Sequence, residues 1–267
     1  MSKVVLITGA SSGIGKSVAT FLQDKGCKVY GTSRNPKNIK DFTFELIALD
    51  VLKLDTINNA INYIIQKEGR LDILVNNAGM GITGPVEDTP TEEMRAVFNT
   101  NLFGAIDVMK AVLPQMRSQK SGIIINVTSI AGYMGLPFRG LYSASKGALE
   151  TVTEAVSMEV QNFGIKAVNI APGDFATNIA AGRYHTPVFK NSAYKQKYQE
   201  NLDLMDAHVD DGMDPIEMAK SIYKIINTKK PKLHYKVGNF MQKFSIALKR
   251  ILPDRIYERL LMNHYKL

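Results

Sequence analysis

The sequence predicts an α/β chain built on a parallel β-sheet, and three observations predict it. Short, fully apolar runs recur, the first being Val4-Val5-Leu6-Ile7, and strands buried on both faces read this way. Between them lie stretches whose apolar residues fall at intervals of three and four, as helices with one buried face require. Directly after the first run comes Thr8-Gly9-Ala10-Ser11-Ser12-Gly13-Ile14-Gly15, which leads into a helical pattern at Val18, Phe21 and Leu22. Strand, glycine-rich turn and helix together make a phosphate cradle, because glycine lets the backbone approach the ligand and the helix N-terminus offers free N–H groups. The spacing is G-x-x-x-G-x-G, and a plain loop would share it. Its place behind a buried strand favours a dinucleotide held by Gly9, Ser11, Ser12, Gly13, Ile14 and Gly15.

The remaining elements follow in order. Residues 28–34 read as a second strand whose tip is Ser33-Arg34, with Lys37 and Lys40 nearby. A carboxylate at this tip would suit a ribose 2′-hydroxyl, whereas a guanidinium suits a 2′-phosphate. Arg34 therefore favours NADP(H), with NAD(H) as the lesser alternative. Residues 45–51 form a third strand with Asp50 near its carboxyl end, placed either to accept from an adenine amino group or to cap the next turn; Val51 follows it to the same edge. Helical spacing covers 55–68, and a fourth strand at 71–75 ends in Asn76-Asn77-Ala78-Gly79, a polar turn of close approach suited to a ribose. A helical zone runs from 91 to about 117 with Asn99 and Asn101 in its middle. Asparagine is unfavourable there, which points to a specific role. A fifth strand spans 122–129 and ends in Ser129, and a sixth spans 165–170 ahead of Ala171-Pro172-Gly173. Residues 174–212 are poorly periodic and read as a lid over a substrate. Asp214-Pro215-Ile216-Glu217 starts a helix. Residues 234–237 form a seventh strand. The last thirty residues form a helical extension, from about 239, in which Phe240, Phe244, Ala247, Leu248 and Ile251 share one face. Packing on the domain or a partner subunit is the favoured role for that face, with docking on a membrane surface the alternative.

Composition narrows the function. The chain has 267 residues, 45% of them hydrophobic, enough to bury a substantial core in one domain. The single cysteine, Cys27, excludes an intramolecular disulfide and a multi-cysteine metal site. His185, His208, His234 and His264 are scattered without ligand spacing, so no metal is expected. The start lacks the apolar core and cleavage site of a signal peptide, and no run reaches the roughly 18 apolar residues of a membrane span. A cytoplasmic protein is the expectation. The net charge of +8 suits an anionic cofactor, and nucleic acid is not expected without a basic groove pattern interleaved with aromatics.

The chemistry-bearing stretch is Tyr142-Ser143-Ala144-Ser145-Lys146. A helix stacks Tyr142 and Lys146 on one face, four residues apart. A phenol is a poor acid near neutrality, and a neighbouring ammonium favours its ionised form. Tyr142 could thus move a proton and Lys146 tune it, although an aromatic anchor and a solvated charge share this spacing, and only the rest of the chain favours the chemical reading.

Taken jointly, Thr8 to Gly15, Asp50, Asn76 to Gly79, Asn101, Ser129, Tyr142-x-x-x-Lys146 and Pro172-Gly173 resemble the short-chain dehydrogenase/reductase family along nearly the whole chain. The resemblance implies a Rossmann fold of seven parallel strands in the order 3-2-1-4-5-6-7, with helices on both faces. It implies that Tyr142 is the general acid/base, that Ser129 hydrogen-bonds the substrate oxygen, and that Lys146 lowers the Tyr142 pKa and binds the nicotinamide ribose. Asn101 would hold a water in the proton relay. Thr177, after Pro172 and Gly173, would meet the carboxamide. The segments 79–85 and 134–138 are similar to the branch of 17β-hydroxysteroid and retinol dehydrogenases. Asp174-Phe175 departs from the family pattern, in which a small branched apolar residue is usual. The resulting expectation is a homodimeric or homotetrameric oxidoreductase that interconverts a ketone or aldehyde and an alcohol on a lipophilic molecule. The alternative is a non-catalytic NADP(H) sensor or scaffold.

Overall fold

Seven parallel strands form the central sheet of the computed structural model, which describes residues 2–38, 42–176, 182–187, 191–210 and 212–267. They are β1 (Val4–Ile7), β2 (Lys28–Ser33), β3 (Glu45–Ala48), β4 (Ile73–Asn76), β6 (Gly122–Val127), β7 (Ile165–Pro172) and β9 (His234–Val237), in the order β3-β2-β1-β4-β6-β7-β9. Counted alone, these seven give the expected order. The two-residue strands β5 (Ile82–Thr83) and β8 (Tyr184–His185) pair with each other outside it.

Nine helices are described: α1 (Gly13–Asp24), α2 (Leu54–Glu68), α3 (Thr91–Phe98), α4 (Ala105–Gln119), α5 (Gly140–Val160), α6 (Lys195–Asp210), α7 (Ile216–Ile226), α8 (Phe240–Ile251) and α9 (Asp254–His264). The alternation of a strand explains why β1 is apolar throughout. Val5 and Ile7 face Val18 and Leu22 of α1 and Ile222 and Ile225 of α7. Val4 and Leu6 face the opposite core, with Ile57 and Ile61 of α2, Val108 and Val112 of α4 and Leu149 of α5. With both faces covered, no strand position in the middle of the sheet is left for water.

Several expectations shift. The third strand stops at Ala48, so Asp50 and Val51 lie in the turn that follows. The fifth ends at Val127, and the sixth runs on to Pro172. The long helix breaks at a π-helical turn, Asn99–Gly104, between α3 and α4. The helical stretch Thr91–Gln119 is long and apolar enough to cross a membrane by length and composition alone. It is a core helix here: Val108, Met109, Val112 and Met116 pack under the sheet. The 174–212 stretch holds β8 and the 16-residue α6, which the sequence reading left aperiodic.

The C-terminal helices pack on the domain through a different set of residues from the Phe240 stripe. The face carrying Phe240, Phe244 and Ile251 points outward, with Phe240 73% and Ile251 78% exposed. The domain instead receives Ile246 and Leu248 from α8 and Tyr257 and Leu261 from α9, packed on Ile130, Met134 and Ala171.

Candidate active site

The glycine turn after β1 is held open for a phosphate-bearing ligand. Gly9 (φ 66°) and Gly13 (φ 54°) take left-handed backbone, which other residues adopt at a cost. A Cβ on Gly15 would collide with the Gly9 carbonyl oxygen. Thr8 Oγ1 accepts from the backbone N–H of Asn77 (3.0 Å) and Ala78 (2.9 Å), and Asn77 Nδ2 donates to the Thr8 and Gly9 carbonyls. The Asn77 Nδ2 thus staples the turn to the end of β4. Ser12 caps α1 with extended backbone, no side-chain cap bond forms, and no acidic residue lies in the first turn. The helix keeps free N–H groups and a positive end where a pyrophosphate would sit. Ser11 and Ile14 flank that position, so these residues fit a dinucleotide.

The adjoining strand ends complete the bed. Thr32 ties β2 to the turn: its carbonyl accepts from Ala10 N at 2.9 Å and its Oγ1 from Gly9 N. Ser33 and the exposed Arg34 follow at once, and no acid occurs between Ser33 and Lys37. Asp50 acts as the cap of its turn, with Oδ1 accepting from Leu52 N. Val51 packs so closely on Gly104 that a Cβ there would sit 2.9 Å away. Pro172 and Gly173 close the bed at the end of β7. Lys40 and Thr177 lie outside the described residues.

The candidate reactive residues meet beyond β6. Ser129, 7% exposed, begins a short 3-10 turn, and its Oγ accepts from Ala131 N at 3.1 Å. That bond uses a lone pair and leaves the hydroxyl proton to donate. Tyr142 stands in the first turn of α5 with the Arg139 guanidinium 5.5 Å from its ring centroid. Lys146 is one turn further on, buried, with Nζ donating to the Val127 carbonyl at 2.9 Å. Burial pulls its pKa down to about 8, because the charged form loses hydration. Gly79 explains how the cofactor side can reach this amine: a Cβ there would lie 3.3 Å from Lys146 Nζ and 3.1 Å from Asn101 Oδ1.

Asn101 sits within the π-helical turn, which accounts for an asparagine in mid-helix. Its Oδ1 accepts from Met80 N (2.8 Å), and its Nδ2 donates to Met80 O (2.9 Å) and Ser145 Oγ (3.1 Å). The side chain clamps the 79–80 segment against α5.

Ser129, Tyr142 and Ile14 all line a cavity of about 620 Å³. Its other walls come from Met205 of α6, Leu248 of α8, and Tyr257, Leu261 and His264 of α9. Sequence reading missed these wall residues. Their apolar spacing was visible, but which face of each helix turns inward depends on docking.

The comparisons with known proteins agree with this geometry. A family model described as short chain dehydrogenase matches residues 3–187. A 3-ketodihydrosphingosine reductase of Bacteroides thetaiotaomicron is 40% identical over 98% of both chains. A short-chain dehydrogenase structure from Streptomyces avermitilis superposes with a TM-score of 0.85 at 31% identity, over 100% of this chain and 97% of that one. The structure of ElxO with NADP bound is 30% identical, with a TM-score of 0.72 over 89% of this chain and 97% of that one. The glycine turn, the strand order and the Tyr142-Lys146 pair are thus those of a member of the short-chain dehydrogenase/reductase family, to which this chain belongs.

Proposed function

We propose that this oxidoreductase uses NADP(H) to reduce a ketone on a long-chain lipophilic molecule, a ketosphingoid base being the leading candidate, and that the reaction reverses to alcohol oxidation. One observation carries the reading: Ser129 and Tyr142 stand in the wall of a large cavity whose far walls are mostly apolar. The relation to a 3-ketodihydrosphingosine reductase supports the substrate class.

A bound nicotinamide would supply the hydride to the carbonyl carbon. Ser129 donates its hydroxyl proton to the carbonyl oxygen and so orients it. Tyr142 delivers a proton to that oxygen as the alcohol forms. Lys146, one turn away, presents a buried amine to the phenol and to the ribose side of Gly79. Asn101 holds Met80, and with it the Gly79 approach, in place; a water in the proton relay would lie on this side of Lys146. NADP(H) is favoured over NAD(H) because the β2 tip offers Arg34 and no carboxylate, and because ElxO was solved with NADP bound.

Absorbance of NADPH with a panel of long-chain ketones tests the reading. Wild type is expected to turn over at least one of them, and Tyr142→Phe to bind NADPH normally yet lose about 10²–10⁴ in kcat, the usual contribution of general acid catalysis. Absence of turnover with every lipophilic ketone would overturn the substrate class and reopen the sensor or scaffold alternative. Near-normal turnover in Tyr142→Phe would remove Tyr142 as the acid. Arg34→Ala is expected to erode a wild-type kcat/KM preference for NADPH over NADH, and a wild type that prefers NADH contradicts the assignment of Arg34.

A further inference from the structure

The departure at Asp174-Phe175 resolves into two different roles. Phe175 is 4% exposed and packs into the sheet core. Asp174 instead lines the cavity that holds Ser129 and Tyr142. β6 and β7 are neighbours with Val127 opposite Ile170, so Ser129 and Asp174 leave adjacent strands at the same edge of the sheet.

A carboxylate in a mostly apolar wall is costly unless it is held and used. Asp174 is held by a purpose-built arrangement. Gln242 Nε2 donates to its Oδ2 at 2.7 Å. Gln242 is itself fixed by the capping box of α8: its Oε1 accepts from Asn239 N, and its backbone N–H donates to Asn239 Oδ1. Gly173 and Gly238 make room for this amide, since a Cβ on either would collide with Gln242 Oε1. Among the described residues, no lysine or arginine forms an ion pair with Asp174. Arg139 and Arg183 line the same cavity, and Asp174 is the one carboxylate among its described lining residues.

We propose that Asp174 is a cation subsite of the substrate cavity. It takes the protonated amine of an amino ketone whose carbonyl meets Ser129 and Tyr142 and whose alkyl chain runs along Leu248, Tyr257 and Leu261. This inference rests on the reductase reading above and adds to it the charged head of the substrate. An ammonium offers three donors, and the Asp174 carboxylate, fixed in the wall of the cavity that also holds Ser129 and Tyr142, accepts one of them.

The test compares a long-chain 2-amino-3-ketone with its N-acetyl derivative, which keeps the chain and the carbonyl and loses the charge. For wild type, kcat/KM is expected to favour the amino ketone by at least about ten-fold, the scale of a hydrogen bond to a charged group. In Asp174→Asn that ratio is expected to fall toward one. As a readout independent of turnover, the saturated amino alcohol product with NADP⁺ is expected to raise the Tm of wild type more than that of Asp174→Asn. If Asp174→Asn does not fold, the wild-type ratio decides. Equal kcat/KM for the two ketones in wild type, or an unchanged ratio in a folded Asp174→Asn, overturns the subsite and leaves the reductase reading intact. If wild type reduces neither ketone but does reduce other lipophilic ketones, the subsite falls alone. If it reduces no lipophilic ketone, both fall together.

Discussion

Lys146 and Glu150 lie one turn apart on α5, both buried, and burial moves them in opposite directions. Lys146 falls to about 8, while desolvation raises Glu150 to about 7 against the opposing hydrogen bonds of Thr128 and Tyr133. Thr128 Oγ1 donates to Glu150 Oε1 at 2.8 Å, directly before Ser129 in the chain. Glu150, Lys236, His234 and Glu154 cluster behind the 3-10 turn that Ser129 begins. The folded chain holds the Glu150 proton up to about pH 7, whereas the unfolded chain releases it near 4.5. The stability from this group is therefore fully present below about pH 4.5 and is lost as pH rises through about 7. Glu150→Gln keeps the shape of the protonated acid and does not titrate. Wild-type Tm is expected to fall relative to that of Glu150→Gln between pH 5 and pH 8, with the gap level above that. Lys146 acts in the opposite sense at higher pH, its contribution lost as pH falls through about 8, but it is common to both proteins. A Tm difference that does not vary with pH would contradict the buried-acid assignment.

Among the elements, the π-helical turn decides how the site is assembled. It carries Asn101, whose side chain bonds both the N–H and the carbonyl of Met80. Asn101→Ala removes both bonds and leaves partly buried backbone groups without partners. The expected loss is about 1–3 kcal/mol in urea unfolding, together with a drop in kcat as Gly79 moves relative to Lys146. Unchanged stability and turnover would show that the π turn, rather than the side chain, positions the segment. α8 acts at the same scale, because its inner face closes the cavity while its N-terminal cap grips Asp174 through Gln242.

At the level of the whole molecule, apolar surface remains uncovered on the helices beneath the sheet. Phe103 is 54% exposed at the π turn, and Met158 is 67% exposed near the end of α5. A second copy packed across this face would bury both side chains. The expected outcome is a dimer or tetramer packed through α4 and α5, observed by light scattering at micromolar concentration, with Met158→Lys shifting it toward monomer. A monomeric wild type would contradict this. The outward stripe of α8, Phe240 to Ile251, is a second exposed surface.

The sequence by itself determined the sheet and pointed to the candidate reactive residues. Doubly buried strands cannot alternate with polar residues, and helices must repeat every three or four, so both periodicities appear in the chain. The glycine turn was legible from its place behind a buried strand, and the roles of Ser129, Tyr142 and Lys146 from the joint resemblance of the motifs to one family rather than from spacing alone. Asn101 was legible only as an anomaly, since its partner Met80 lies 21 positions earlier in the chain. Tertiary structure alone decided three things. It turned the Phe240 stripe outward, because local spacing defines a helical face but not what the face meets. It spent the Asn77 amide on the glycine turn, a contact across 68 and 69 residues. It also set Asp174 in the cavity wall with Gln242 beside it, a contact across 68 positions that depends on two glycines in separate turns. Periodicity records which residues avoid water, whereas the contents of a cavity are fixed only when distant segments pack.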